Sequence, residues 1–152
     1  VRAAAPRICE KYNILHICGR GNLIKSNVTG YVQREYVKEM GLAYACADMA
    51  VARAGSNSAF ELISCKIPTL FIPLENGASR GDQVKNAHYF KKLGLCRVLR
   101  ERDLTPERLT DEIFCTMDSP ALIKNLEESA VRSGNRQIEA AIERAAIFGK
   151  IH

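Results

Sequence analysis

A membrane-spanning helix needs about eighteen or more apolar residues in a row. The sequence has no apolar run that approaches this length, so no membrane span is predicted within it. It also has no C-x-x-C pair, and its six cysteines are widely and irregularly spaced, with no histidine nearby at metal-ligand spacing. These absences argue against a structural zinc site and against a disulfide framework. The pattern favours reduced thiols, most of them buried in the apolar runs of a cytosolic protein.

Two familiar phosphate-binding motifs are also missing. Neither G-x-x-x-x-G-K-[ST] nor G-x-G-x-x-G occurs, so neither a P-loop nor a dinucleotide fingerprint is predicted. His16 and His88 have no serine, cysteine or acidic partner at a spacing that indicates a catalytic triad. No paired carboxylates stand out for acid–base work. We therefore expect no catalytic residue in this chain.

Length and composition are those of one ordinary globular domain. The chain has 152 residues, of which 47% are hydrophobic and 26% charged, enough to bury a sizeable core. Its formal net charge is +5, but basic and acidic residues alternate, as they do from Arg100 to Asp103. A solvated, salt-bridged surface is therefore favoured over nucleic-acid binding. The opening residues, VRAAAPRICEKY, are typical of the end of a helix, so we expect a fragment of a longer parent.

Short apolar runs alternate with longer helix-like segments, which is the pattern of βαβ units. Strands are predicted at residues 13–18, 49–53, 69–73 and 96–99, with a possible short strand near Val32. Helices are predicted at residues 37–46, 58–65, 82–93, 105–117, 120–133 and 135–148. The clearest helix starts follow Thr105 and Ser119, because a capping residue there precedes proline. The predicted class is α/β, with a parallel sheet covered by helices on both faces.

Loops at the C-terminal ends of parallel strands are where open α/β sheets bind ligands, and one such loop is GSNS, from Gly55 to Ser58. It links a predicted strand to a predicted helix, so free N–H groups and the positive end of the helix dipole would face it. That arrangement suits an anion, most naturally phosphate. Plain N-capping of the helix by Ser58 explains the same residues equally well.

Glu61 lies three residues after Ser58, about one turn into the predicted helix and on the same side as its cap. A carboxylate at this place could accept hydrogen bonds from two hydroxyls of a ribose. The spacing Ser58-x-x-Glu61 also matches a capping box, in which the carboxylate bonds the start of its own helix. Both interpretations stay open.

Three polar residues, Asp82, Gln83 and Asn86, open the helix that follows a long glycine-containing loop. Their spacing places Gln83 and Asn86 on approximately one helix face. Amides both donate and accept hydrogen bonds, as the hydroxyls and acetamido group of a sugar require. The alternative is a polar helix start on the surface.

The order of these motifs is more specific than any one of them. Together they resemble the C-terminal half of the MurG family, the peptidoglycan N-acetylglucosaminyltransferases that convert lipid I to lipid II. The resemblance extends from about Tyr12 to Ile123 and is most specific from Ala47 to Ala87. The stretches that carry it are HICGRGN (16–22), YVKEMGLAYACADMAVARAGSNSAFEL (36–62), IPTLFIPL (67–74) and SRGDQVKNAHYFKKLG (79–94).

The resemblance implies a two-domain GT-B fold, of which residues 1–152 form the C-terminal, Rossmann-like domain that binds UDP-N-acetylglucosamine. It also implies that the N-terminal domain, which receives lipid I and carries the catalytic base, is missing here, so that the fragment alone is inactive. The parent would be an inverting transferase that needs neither metal nor cofactor. It would be peripheral on the inner, cytoplasmic face of the bacterial cell membrane, with no nucleic-acid partner.

Matched position by position, the resemblance assigns the nucleotide to two stretches of the chain. Val37 would meet uracil through its backbone, and Tyr36 would cover the base. Ser56, Asn57 and Ser58 would line the diphosphate and the sugar.

The same matching assigns the two sugar rings. Glu61 would hold the ribose hydroxyls, and Gln83 and Asn86 would contact N-acetylglucosamine. Asp82 stands where many members of the family have another glutamine. The SRGDQ sequence around it looks like versions from Gram-positive bacteria.

Two further classes of function remain open. One is a related GT-B enzyme, either a glycolipid synthase that uses a UDP-sugar or the small subunit of a split GlcNAc transferase. The other is a non-catalytic module that binds phosphate or a nucleotide. Arg53, at the end of a predicted strand, either supports the adjacent loop, balances phosphate charge, or forms a salt bridge with Asp48 or Glu61.

Overall fold

The computed structural model describes residues 1–75 and 81–131. The helix predicted at residues 135–148 lies outside them, and each of the other predicted helices and strands has a counterpart. In chain order the elements are α1 (Ala5–Ile8), β1 (Ile14–Ile17), β2 (Tyr31–Arg34), α2 (Met40–Ala45), β3 (Ala50–Ala52), α3 (Ser56–Ser64), β4 (Thr69–Phe71), α4 (Asp82–Lys92), β5 (Arg97–Val98), a 3₁₀ turn (Glu101–Asp103), α5 (Pro106–Met117) and α6 (Pro120–Glu128).

The strands of the described residues form two parallel groups. β1 pairs with β2, from Ile14 opposite Tyr31 to Ile17 opposite Arg34. In the second group β4 lies between β3 and β5. Because strands within a group run in the same direction, the loops that follow β3 and β4 leave from the same edge of the sheet. The predicted parallel pairing is confirmed.

The central strand β4 shows why helices cover both faces of the sheet. Thr69, Leu70 and Phe71 are all fully buried, as expected of a strand packed on both sides. Since successive side chains point to opposite faces, Phe71 packs in a cluster with α3, α4 and α6, whereas Leu70 packs in a second cluster with α1 and α5. The prediction of helices on both faces is confirmed.

Helix starts follow the local capping chemistry. α5 begins at Pro106 as predicted, because the Thr105 hydroxyl accepts a hydrogen bond from the backbone N–H of Arg108 at 3.2 Å. α6 begins at Pro120, but Ser119 makes no such side-chain bond. α2 begins at Met40 rather than at residue 37, so Val37 lies in the segment before the helix.

The cysteines are less buried than their apolar surroundings indicate. All are free thiols; Cys96 is buried, whereas Cys46, Cys65 and Cys115 are exposed. Cys46 and Cys65 lie at the C-terminal caps of α2 and α3, just past the last residue of each helix. The expectation that most of the thiols are buried is therefore wrong. Burial raises the pKa of the Cys96 thiol to about 12.

Thiol reactivity should follow this distribution, because only the thiolate reacts and it must be reached by the reagent. With excess iodoacetamide near neutral pH, we expect Cys46, Cys65 and Cys115 to be alkylated in the native protein and Cys96 to be spared. Peptide mass spectrometry before and after denaturation would measure this. Cys96 belongs to the core cluster that joins Phe71 to α3, α4 and α6. If native Cys96 were alkylated as fast as Cys115, that packing would be contradicted.

Candidate functional site

The turn from β3 to α3 differs from its prediction in one decisive respect. α3 begins at Ser56, two residues earlier than predicted, and Gly55 is its N-cap with an extended backbone. The helical hydrogen bond from the Ala59 N–H to the Gly55 carbonyl, 2.9 Å long, fixes this start. Ser58 is therefore inside the helix and cannot be its cap. Both the capping role of Ser58 and the capping box with Glu61 are wrong.

This start leaves the first turn of α3 open to solvent. Ser56, Asn57 and Ser58 are exposed, and no side chain caps the helix at Gly55. The first N–H groups of any helix have no partner inside it, and they lie at the positive end of the helix dipole. A helix start of this kind is able to accept an anion.

Glu61 lies one turn further along α3 and is half-buried. The Tyr44 hydroxyl, from α2, donates a hydrogen bond to Glu61 Oε2 at an oxygen–oxygen distance of 3.4 Å. Burial raises the pKa of Tyr44, and the charge of Glu61 and this hydrogen bond raise it further. This bond joins Glu61 to α2. Sequence patterns did not identify Tyr44, since nothing local links the two helices.

The amides predicted on α4 reach the ends of the neighbouring strands. Asn86 Nδ2 donates hydrogen bonds to the Ala54 carbonyl at 3.0 Å and to Ser56 Oγ at 3.2 Å. Gln83 Oε1 accepts a hydrogen bond from the backbone N–H of Leu74, 3.0 Å away, just after β4. The structure therefore brings Asn86 together with the start of α3, and both amides help to hold the strand-end loops.

Other predicted residues are not joined to this group by a described contact. The described partner of Asp82 is Lys85, one turn along the same helix, at 3.9 Å with both side chains largely exposed. Tyr36 is 76% exposed, and Val37 beside it is half-buried. Both lie between β2 and α2, which places them on the segment that leads to Tyr44.

Arg53 braces the same edge of the sheet. Its guanidinium donates to the Ile72 carbonyl at 3.0 Å and pairs with Glu101 at 2.7 Å. The salt bridge is thus with the 3₁₀ turn after β5, rather than with Asp48 or Glu61. Of the roles left open by the sequence, loop support is the one the structure favours.

Neither a metal site nor a membrane span is found in residues 1–75 and 81–131. No group of three or more histidine, cysteine, aspartate or glutamate side chains is placed to hold a metal ion. No described helix is long and apolar enough to cross a membrane.

Replacing Asn86 tests how much its hydrogen bonds stabilise the turn from β3 to α3. Asn86→Ala leaves the carbonyl of fully buried Ala54 without this donor, so we expect a loss of about 1–2 kcal/mol in the free energy of unfolding. Asn86→Asp should cost more, because a carboxylate would face that carbonyl. Denaturant unfolding would measure both. Asn125→Ala is the control, since its exposed amide bonds the Gly94 carbonyl; equal losses in the two alanine variants would contradict the role of Asn86.

Comparison with known proteins gives a consistent result. Residues 1–142 match the model of the glycosyltransferase family 28 C-terminal domain. The chain is 44% identical over 150 residues to the UDP-N-acetylglucosamine–N-acetylmuramyl-(pentapeptide) pyrophosphoryl-undecaprenol N-acetylglucosamine transferase of Clostridium novyi, covering 95% of this chain and 42% of the relative. It is 40% identical to the protein of the same name from Geobacillus kaustophilus, covering 96% and 42%. The chain thus spans less than half the length of these relatives.

Solved structures agree on the fold. The MurG of Acinetobacter baumannii is similar with a TM-score of 0.71 and 20% identity, over 95% of this chain and 46% of that one. The glycotransferase of kitacinnamycin gives a TM-score of 0.73 and 19% identity, over 94% and 38%. These likenesses confirm the predicted fold, a Rossmann-like α/β domain that is one half of a GT-B fold. The sequence matches confirm the resemblance to the C-terminal half of MurG. The chain therefore belongs to the family of the glycosyltransferase family 28 C-terminal domain.

Proposed function

We propose that this chain is the donor-binding half of a transferase that moves N-acetylglucosamine from UDP-N-acetylglucosamine to lipid I, forming lipid II. The names of its relatives describe an N-acetylglucosamine transferase that acts between UDP-N-acetylglucosamine and an N-acetylmuramyl-(pentapeptide) pyrophosphoryl-undecaprenol. The observation that carries the proposal is the uncapped first turn of α3, from Ser56 to Ser58, with the carboxylate of Glu61 one turn further along. An anion-binding helix start followed by a hydroxyl acceptor matches the diphosphate and ribose of a nucleotide sugar.

The spacing of the two features supports this assignment. From Ser56 to Glu61 is five residues, which is about 7–8 Å along a helix that rises about 1.5 Å per residue. That is comparable to the distance from the diphosphate to the ribose hydroxyls of a nucleoside diphosphate. In transfer, negative charge develops on the leaving diphosphate, and the N–H groups at the start of α3 would stabilise it without a metal ion.

The remaining parts of the donor, its base and its N-acetylglucosamine, would meet residues outside α3. Tyr36 and Val37 precede α2 and would meet uracil. Asn86, already bonded to Ser56, would present its carbonyl side to the N-acetylglucosamine, with Gln83 one turn before it. Asp82 is exposed at the start of α4 and would accept from a sugar hydroxyl where a glutamine could both donate and accept.

Binding of the acceptor, lipid I, would be the task of a part of the parent protein outside this chain. We propose that the catalytic base and the site for lipid I lie on the other domain of the parent. Because an undecaprenol-linked acceptor is anchored in lipid, the parent would work at the cytoplasmic surface of the membrane, bound peripherally. The donor domain would supply nucleotide binding and stabilisation of the leaving group.

Calorimetric titration of the 152-residue chain with UDP-N-acetylglucosamine, UDP-glucose and UDP tests the proposal. We expect all three to bind, and UDP-N-acetylglucosamine to bind more tightly than UDP-glucose, because the α4 amides have a partner in the acetamido group. Preference for UDP-glucose would favour a glycolipid synthase instead. Failure of UDP to bind would contradict the proposal, and affinity for DNA that fell steeply with salt would indicate a nucleic-acid ligand.

A further inference from the structure

We propose that Tyr44 is a positioning residue that orients Glu61 for the ribose and thereby helps the site to distinguish a ribonucleotide from a 2′-deoxyribonucleotide. The inference rests on the proposed function, because it assumes that Glu61 receives ribose hydroxyls. Its basis is the hydrogen bond from the Tyr44 hydroxyl to Glu61 Oε2.

Tyr44 is a rigid support for that bond. Its ring packs against the core cluster formed by α3, α4 and α6, which includes Ala59 and Ile63. A tyrosine has only two side-chain torsions, so packing of the ring fixes where the hydroxyl lies. Glu61, by contrast, has a long side chain that loses much rotamer freedom when it is held in one place. Fixing it before the ligand arrives removes part of that cost from binding.

The chemistry of the pair leaves Glu61 able to bind sugar. An ionised carboxylate has two oxygens and about four lone-pair sites, so it can accept from Tyr44 and from ribose hydroxyls together. The distance of 3.4 Å is long for an O–H···O bond, whose usual range is about 2.5–3.0 Å. At this length the contact is a weak hydrogen bond, which favours the position of the carboxylate towards α2 before the ribose binds.

The contact also links two parts of the proposed site. Tyr44 lies on α2, which directly follows Tyr36 and Val37, and Glu61 lies on α3, which begins at the proposed diphosphate position. The bond between them therefore fixes the segment for the base relative to the helix for the ribose and phosphates. The sequence alone does not reveal this contact, since Tyr44 and Glu61 are 17 positions apart.

Tyr44→Phe isolates the hydroxyl while it keeps the ring in the core. The measurement is the affinity for UDP and for 2′-deoxy-UDP by calorimetry, in wild type, Tyr44→Phe, Glu61→Ala and the double variant. We expect Tyr44→Phe to weaken UDP binding about three- to tenfold and to reduce the preference for UDP over 2′-deoxy-UDP. In the Glu61→Ala background the same change should have no further effect, because the two residues act as a unit.

Tyr89→Phe is the matched control, since Tyr89 is an exposed tyrosine on α4, and it should leave both affinities unchanged. If Tyr44→Phe leaves the preference unchanged while Glu61→Ala reduces it, the positioning role is wrong and the proposed function stands. If Tyr44→Phe weakens binding equally in the presence and absence of Glu61, Tyr44 acts by another route and the inference is also wrong. If wild type binds neither nucleotide, the proposed function fails and the inference fails with it.

Discussion

Glu61→Ala is expected to weaken the binding of UDP by roughly 30- to 150-fold, which corresponds to about 2–3 kcal/mol. The reason is that hydrogen bonds to a charged group contribute about 1.5–3 kcal/mol, and this carboxylate would accept from the ribose. The loss should affect only ligands that contain ribose. The affinity for inorganic diphosphate, which under the proposal would bind only at the start of α3, should therefore change little. Calorimetry with both ligands measures the two affinities.

The structure removes one complication from this test. Because α3 begins at Ser56, Glu61 lies beyond its first turn, and the substitution should not weaken the helix start. Glu127→Ala, at an exposed position on α6, is the matched control and should bind both ligands as wild type does. Equal UDP affinity in Glu61→Ala and wild type would show that the ribose assignment is wrong.

Phe90→Ala is expected to lower the free energy of unfolding by about 3–5 kcal/mol, the usual loss for a buried phenylalanine. Phe90 lies on α4 and is fully buried. Its ring makes an edge contact with Phe60 on α3, with ring centroids 5.0 Å apart, and lies 6.4 Å from the ring of Phe71 on β4. Removing it would leave a cavity where two helices meet the central strand. Equilibrium unfolding in denaturant would measure the loss.

The matched control for this core is Phe60→Ala. Phe60 touches the same ring but is 37% exposed, so its removal deletes less buried surface and leaves a site that water can fill. We expect a clearly smaller loss than for Phe90→Ala. Equal losses of unfolding free energy in the two variants would mean that the core cluster of α3, α4 and α6 is not packed as described.

The sequence was sufficient to predict the parallel strands and most helices, for physical reasons that are local. Leu70, Phe71 and Ile72 form an apolar run before Pro73, as a strand buried on both faces requires. Thr105 followed by proline marks a helix start that the structure reproduces. The start of α3 was misplaced because Ser58 is a good capping residue by type, whereas Gly55 takes the N-cap by backbone conformation alone.

The candidate site shows the same contrast between features set by local sequence and contacts between distant residues. The order of GSNS and Glu61 follows from spacing along one helix, so the sequence could place them together. The bonds that brace the site join residues distant in sequence: Asn86 to Ala54 across 32 positions, and Arg53 to Glu101 across 48. Such contacts depend on how helices and strands pack, and no local pattern predicts them.

The central claim is that a nucleotide diphosphate binds at the start of α3. The most direct test is a titration of isotopically labelled protein with UDP, followed by the backbone amide NMR signals. The claim predicts that the largest saturable shifts occur at Ser56, Asn57 and Ser58, with further shifts at Glu61 and Val37. Shifts confined to other parts of the chain, or no saturable shift at all, would contradict it.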